Sequence, residues 1–113
     1  GSVVGRPVTL LPEHYAPVSG RQLLTRMLAN LKGAYWQRLE WDRVVGAIDR
    51  LLVLDPKAGS EWRDRGVAWS NLGEGRRGRG DWERYLTESP DAEDHETVKG
   101  HLRRARQKLA QLN

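Results

Sequence analysis

Three histidines are the side chains best suited to acid–base or metal chemistry, because imidazole titrates near neutral pH and ligates metals. His14 lies in a proline-rich segment, and His95 and His101 lie in a polar segment near the carboxyl terminus. The latter two are six residues apart, which puts them on different faces of a helix, whereas helical metal pairs are spaced by four. We therefore expect no catalytic residue, no metal site and no cofactor.

Other catalytic motifs also find no support in the sequence. There is no cysteine, so the chain offers neither a thiol nucleophile nor a disulfide. Ser19 and Ser60 precede apolar-periodic stretches, where serine caps a helix. The glycines between Gly73 and Gly80 follow no predicted strand and include no Gly-Lys-Ser/Thr, as a phosphate-binding loop would require. The pattern indicates that this chain is not an enzyme.

The composition is that of a single folded domain. The chain has 113 residues, of which 38% are hydrophobic and 30% charged, and its net charge is +4. No apolar run has the length of a membrane span and no secretory signal pattern is present, so we expect a cytoplasmic protein. Gly1-Ser2 is typical of tag removal, and we therefore treat the chain as a candidate fragment of a longer protein.

The sequence repeats with a period of 34 residues. The matching pairs are Leu28 and Trp62, Tyr35 and Trp69, Ile48 and Trp82, Arg50 and Arg84, Leu52 and Leu86, and Pro56 and Pro90. This period and a closing proline are typical of tetratricopeptide repeats, which are antiparallel helix pairs. We predict units at about 25–58 and 59–92. Lys32 and Val44 replace the usual small residues of the first unit, and Gly33 is predicted to provide its close helix contact instead.

Helical periodicity supports the same division. Ser19 with Gln22 forms a predicted capping pair for the first helix, whose apolar face comprises Leu24, Leu28, Leu31, Tyr35 and Leu39. A second helix is predicted from about Asp42 to before Pro56, and a third after the Ser60 cap.

The ends of the array are predicted from composition. Four glycines within 73–80 predict that the fourth helix starts late or frays, because glycine disfavours helix. A basic amphipathic helix at about 92–112 is predicted to cap the array. Residues 1–18 are interpreted as a tag remnant and an extended arm. The fold class is therefore all-α, with a tetratricopeptide-like domain over 19–113.

In stacked helix pairs, the first helices line a groove that holds a protein segment. The predicted partner-binding residues are Arg26, Asn30, Gly33, Trp36, Gln37, Arg63, Asp64, Val67 and Ser70. Trp36 is the predicted aromatic anchor, although packing beneath the arm would explain it equally well. The expected partner is a protein or peptide, or another domain of the same protein, and weak self-association is a further expectation.

Nucleic acid is the lesser alternative. Basic clusters at 76–79 and 103–108, together with five tryptophans, are typical of phosphate contacts and base stacking. However, Trp62, Trp69 and Trp82 fall at core positions of the repeat, which removes most of the stacking platform.

Two strings carry a family resemblance. They are Arg26-Met27-Leu28-Ala29-Asn30-Leu31-Lys32, followed by Tyr35 and Leu54-Asp55-Pro56, and Arg63-Asp64-Arg65-Gly66. Over roughly 20–90 the chain resembles the C-terminal tetratricopeptide portion of bacterial transglutaminase-like proteins, the family described as invasion-gene regulators. The resemblance implies a helical tail that supports a separate transglutaminase- or protease-like domain, whose catalytic residues are not in this chain.

Overall fold

A computed structural model describes residues 19–111, which form five α-helices and no strand. The helices are α1 (Gly20–Gln37), α2 (Trp41–Leu54), α3 (Gly59–Asn71), α4 (Gly75–Glu88) and α5 (His95–Gln111). Each helix packs on the next along the chain, so that α1–α2 and α3–α4 are two pairs and α5 closes the stack. The predicted all-α repeat fold is confirmed. The predicted arm at 1–18 lies outside the described residues.

The helix starts test the capping predictions. Ser19 caps α1 as predicted: its Oγ accepts a 3.0 Å hydrogen bond from the Gln22 amide, and Gln22 Oε1 accepts one of 3.1 Å from the Ser19 amide. The Ser60 prediction is wrong, because α3 begins at Gly59 with Ala58 as its N-cap and no side-chain cap. Ser60 is already inside the first turn, where its hydroxyl does not close the helix end.

Two glycines allow α3 and α4 to cross closely. A Cβ on Gly66 would overlap the Trp82 indole, and one on Gly78 would lie 3.0 Å from the Gly66 carbonyl oxygen. The indole uses this space to donate a 3.2 Å hydrogen bond to the Arg63 carbonyl. Helix α4 begins at Gly75, so the prediction of a late start is wrong. Close packing on α3 offsets the low helix propensity of the glycines.

The first pair is built without such glycines. Val44 is fully buried at its crossing, and Lys32 turns toward α3. The prediction that Gly33 provides a close helix contact is wrong, since a Cβ there would meet no atom within 4 Å.

The core consists of two apolar clusters. The first is formed by Val44, Val45, Ile48, Leu52 and Ala68, between α2 and α3. The second is formed by Trp82, Tyr85, Val98 and Leu102, between α4 and α5. Trp62 packs against both clusters and therefore joins the two repeats.

Helix α1 buries only part of its apolar surface. Leu28 is buried, but Leu24 and Leu31 are 44% and 46% exposed, and Leu39 lies exposed in the following turn. The apolar face that the sequence predicts for α1 is therefore only partly buried, and these three residues lie on its exposed part. Periodicity shows that a helix has an apolar flank but not that a neighbour covers it, and α1 is the first helix that the structure describes.

No helix among residues 19–111 combines the length and the apolar character needed to cross a lipid bilayer.

Candidate functional site: the face shared by α1, α3 and α5

Polar contacts across the stack identify a face to which α1, α3 and α5 contribute. On α3, Asp64 contacts α1, and Arg63 contacts Asp94 just before α5. Arg65, on another side of α3, reaches back to α2 and α4 through Asp49 and Asp81. The first helix of each pair therefore contributes to one surface, while the second helices support it from behind.

Lys32 is the centre of this surface. Its Nζ donates 2.7 Å hydrogen bonds to Glu61 Oε1 and Asp64 Oδ2, and its side chain is 15% exposed. Burial acts to lower the pKa of this ammonium, but the hydrogen bonds and charges of Asp64 and Glu61 outweigh it and leave the pKa raised. Lys32 is thus a fixed cation that holds α1 to α3.

The ion pairs continue from Asp64 toward α5. Asp64 Oδ1 accepts a 2.9 Å hydrogen bond from Arg63 Nε, and Arg63 Nη1 donates one of 3.0 Å to Asp94 Oδ2. The Tyr85 hydroxyl donates to the other oxygen of Asp94. This bond, ahead of the Arg63 contacts, holds the pKa of Asp94 below its ordinary value. A continuous polar chain therefore links α1, α3, α4 and the segment before α5.

A hollow of about 250 Å³ lies beside Lys32. It is lined by Ala29, Lys32, Gly33, Trp36 and Asp64. The Trp36 ring meets Trp41 edge to face, with centroids 5.0 Å apart, and it also packs on the first core cluster. One part of the indole is therefore held by the core and another part lines the hollow, as expected of a rigid anchor for an apolar side chain.

A second hollow, of about 290 Å³, lies between α3 and α5 and has a different character. It is lined by Ser70, Trp82, His101, Arg104, Ala105 and Lys108. The His101 ring stacks on Trp82 at 5.4 Å, and its Nδ1 is 2.8 Å from Arg104 Nη2. Because a guanidinium can only donate, Nδ1 is the acceptor in this contact.

The structure brings some of the predicted groove residues together and separates others. Gly33, Trp36 and Asp64 surround the first hollow, while Ser70 lines the second. Arg63 and Asp64 are paired with each other, and Val67 packs against the second core cluster. Arg26, Asn30 and Gln37 are exposed on α1. Whether these residues contact a partner stays a prediction.

Sequence reasoning missed Lys32 as a site residue. It appeared as a departure from the small residue expected at its repeat position, and that departure was the available signal. A long cation at a position that faces the next repeat predicts an acidic counterpart on that repeat. Glu61 and Asp64 are that counterpart.

The helix pairs and this shared face are the features by which the chain can be compared with known proteins. The sequence model of a family described as "Tetratricopeptide repeat" matches residues 31–108, which is more than half of the chain. The chain belongs to the tetratricopeptide repeat family. Tetratricopeptide repeats generally mediate protein–protein interaction, and the fold is generally non-catalytic.

Two curated relatives extend the comparison. Both are named "UPF0162 protein" and come from Xylella fastidiosa, strains 9a5c and Temecula1. They are 38% and 37% identical to the tetratricopeptide chain over 86 residues, which is 76% of this chain and 31% of each relative. The chain therefore spans just under a third of the length of these relatives.

Proposed function

We propose that this tetratricopeptide module is an interaction domain of a longer protein, and that it docks on another part of that protein through α1. A segment of a protein partner then occupies the face shared by α1, α3 and α5. In this proposal the chain itself has no catalytic role.

The flank of α1 that no other residue of 19–111 covers is the observation that carries the docking proposal. Leu23, Leu24, Met27 and Leu31 are 44–54% exposed, and their spacing puts them on one side of the helix. The outermost helix of a repeat array needs a polar outer face in water, and α5, the last helix that the structure describes, has one. The apolar flank of α1 is instead typical of a surface that a partner covers.

The longer relatives support a partner in the same polypeptide. About two thirds of their length lies outside the matched region. The resemblance to transglutaminase-like proteins suggests that this remainder is a transglutaminase- or protease-like domain, which the tetratricopeptide module would support. We also propose that the whole protein is cytoplasmic, which cell fractionation with an antibody against the module would check.

A binding experiment tests the docking proposal. The remainder of the open reading frame and the tetratricopeptide module are purified separately and mixed in a titration calorimeter. We expect saturable binding, and we expect Met27→Asp to weaken it at least about tenfold, since a charge placed in an apolar contact costs more than 1.4 kcal/mol.

Val53→Asp is the matched control, because Val53 is a comparably apolar residue that is 79% exposed and lies on α2, outside the α1 flank. It should leave the affinity within about twofold. Circular dichroism of both variants verifies that the helices are intact. Failure of the remainder to bind the wild-type module, or equal losses from the two variants, would show that the α1 flank is not the docking surface.

The partner-binding groove is tested by a different substitution. Once a partner segment is in hand, Trp36→Ala should weaken its capture and preserve the far-UV helical signal, because truncation of a central aromatic anchor commonly costs about 2 kcal/mol or more. Unchanged capture by this variant would mean that the first hollow is not the binding site.

Nucleic-acid binding is less well supported by the geometry. Arg65 and Arg84 lie over the Trp62 ring at 4.9 and 4.7 Å, and Arg77 lies over Trp69 at 4.8 Å. Trp82 is buried. These rings are therefore engaged within the protein and offer little surface to a base, so any binding would depend on phosphate contacts and fall steeply with salt.

A further inference from the structure

The end of the array opposite α1 carries an arginine-lined hollow. It has a volume of about 320 Å³, lies between the first turns of α4 and the last turns of α5, and is lined by Arg76, Arg79, Arg106, Leu109 and Ala110. Leu109 and Ala110 form an apolar wall beside three guanidinium groups. Nothing in the docking proposal uses this surface.

Arg79 is the least compensated charge of this hollow. Among residues 19–111 it has no ion pair, and its Nε is shielded from solvent without any hydrogen-bond acceptor. A buried polar group without a partner is uncommon in native proteins, and a ligand bound nearby is one explanation of it. Because the guanidinium is partly removed from water, its free N–H groups attract an anion more strongly than those of a fully solvated arginine.

The remaining charges of the hollow leave it positive. Arg106 Nη2 donates a 2.8 Å hydrogen bond to Glu83 Oε2, so one of the three arginines has a carboxylate. Arg76, like Arg79, forms no ion pair with any residue that the structure describes. Glu74, which is close in sequence, faces Arg77 at 3.8 Å instead.

The second hollow of the shared face extends the positive surface around α5. Arg104 and Lys108 line it, and neither has a carboxylate partner within residues 19–111. An extended chain that runs over α5 would therefore meet cations on both sides of the helix, with Ala105 and Leu109 between them.

We propose that this surface binds an acidic protein segment, with carboxylates on Arg76 and Arg79. Charge complementarity and the fork geometry of guanidinium, which matches a carboxylate with two parallel hydrogen bonds, support this ligand class. The proposal rests on the proposed function in taking a protein segment as the ligand, and its surface includes the second hollow of the face shared by α1, α3 and α5. Its residues lie on α4 and α5, so its failure is distinguishable from a failure of docking at α1.

An NMR titration tests the site directly. A peptide of six glutamates with blocked ends is added to the tetratricopeptide chain at low salt, and amide shifts are followed. We expect the largest shifts at 76–79 and 104–110, and a loss of affinity of about tenfold in the double variant Arg76→Gln, Arg79→Gln, because two charge-assisted contacts are removed.

The double variant Arg38→Gln, Arg50→Gln is the matched control, because it removes the same charge from exposed positions at α1 and α2. It should change the affinity by less than about twofold. If the two double variants lose the same affinity for the peptide, net charge alone explains the binding and the proposal is overturned. Binding of inorganic phosphate as tight as that of the peptide would also overturn the proposal, because it would assign the surface to small oxyanions. Tighter binding of a six-phosphate single-stranded oligonucleotide would overturn it as well and assign the surface to nucleic acid.

Discussion

Leu39 and Gly73 are one repeat apart and adopt the same left-handed backbone, with φ of 59° and 78°. Each follows the first helix of its pair. The next amide in each case donates back to the helix, from Glu40 to the Tyr35 carbonyl at 2.9 Å and from Glu74 to the Trp69 carbonyl at 2.8 Å. The turn is therefore identical in the two repeats, although only Gly73 is the residue type that favours it.

Leu39→Gly should stabilise the protein. A left-handed conformation costs a non-glycine residue roughly 1–2 kcal/mol, and Leu39→Gly removes that cost. About half of this gain is lost again, because glycine has greater conformational freedom in the unfolded chain. Leu39 is 66% exposed, so little burial is lost. We expect a gain of up to about 1 kcal/mol in the free energy of unfolding, measured by urea denaturation. The reciprocal Gly73→Ala should lose about 1 kcal/mol; a gain there would contradict the strain argument.

Gly66→Ala should destabilise the protein, because the added methyl group would overlap the Trp82 indole at the α3–α4 crossing. Overpacking of this kind typically costs about 1–3 kcal/mol. Gly33→Ala is the control, since a Cβ there has free space within α1. That substitution should raise stability by about 0.5–1 kcal/mol through helix propensity alone. Thermal unfolding followed by circular dichroism would compare the two, and equal melting temperatures would contradict the close-crossing interpretation.

Arg65→Met should be among the most damaging single changes. Arg65 Nε and Nη2 donate to Asp81 at 2.8 and 2.9 Å, and Asp81 is buried. Removal of the cation leaves an uncompensated buried carboxylate, which costs about 3–5 kcal/mol. Addition of Asp81→Leu should recover most of that loss, because the orphaned charge is removed as well.

Asp49→Asn provides the matched control for Arg65. Asp49 accepts a 2.7 Å hydrogen bond from the same guanidinium, but its side chain is 52% exposed. We expect a loss below about 1 kcal/mol by denaturant titration. If Asp49→Asn costs as much as Arg65→Met, the burial of Asp81 does not explain the energetics.

Asp94 should contribute to the acid limb of the stability curve. The hydrogen bond from Tyr85 and the contacts of Arg63 lower its pKa in the folded protein. Its contribution is therefore present above the unfolded pKa of about 3.9 and is lost as the pH falls through the lower folded value. Asp94→Asn should flatten the fall in the free energy of unfolding below about pH 4. Chemical denaturation at successive pH values checks this, and an unchanged slope would show that Asp94 is not linked to folding.

The fold was predictable because its signals are periodic and local. The spacing of 34 residues placed the helix pairs, and Ser19 with Gln22 placed the first helix start. The glycine-rich α4 was misjudged because helix propensity describes an isolated segment. In the folded protein, Gly66 of α3 and Gly78 of α4 allow these two helices to approach closely. Each glycine lowers the propensity of its own helix but improves the packing between the two helices.

The candidate site was less predictable than the fold. Trp36 was predicted as an anchor and its ring lines the first hollow. Its neighbour Lys32 was not predicted, because the acidic partners of Lys32 lie 29 and 32 residues away. The exposure of Leu24 and Leu31 was missed for a related reason: a sequence pattern does not record which helix flank remains without a neighbour. That Arg79 has no ion pair among residues 19–111 likewise depends on where the carboxylates of the folded chain lie.

The position of Trp62 has a consequence for how the molecule comes apart. Its indole packs on both core clusters, donates a 3.2 Å hydrogen bond to the Pro56 carbonyl, and lies under two guanidinium groups. In a linear array, the coupling between neighbouring units decides whether they melt together or in sequence. Because one side chain packs on both core clusters, opening of either cluster exposes the same indole, and we expect the two repeats to unfold as a single cooperative unit.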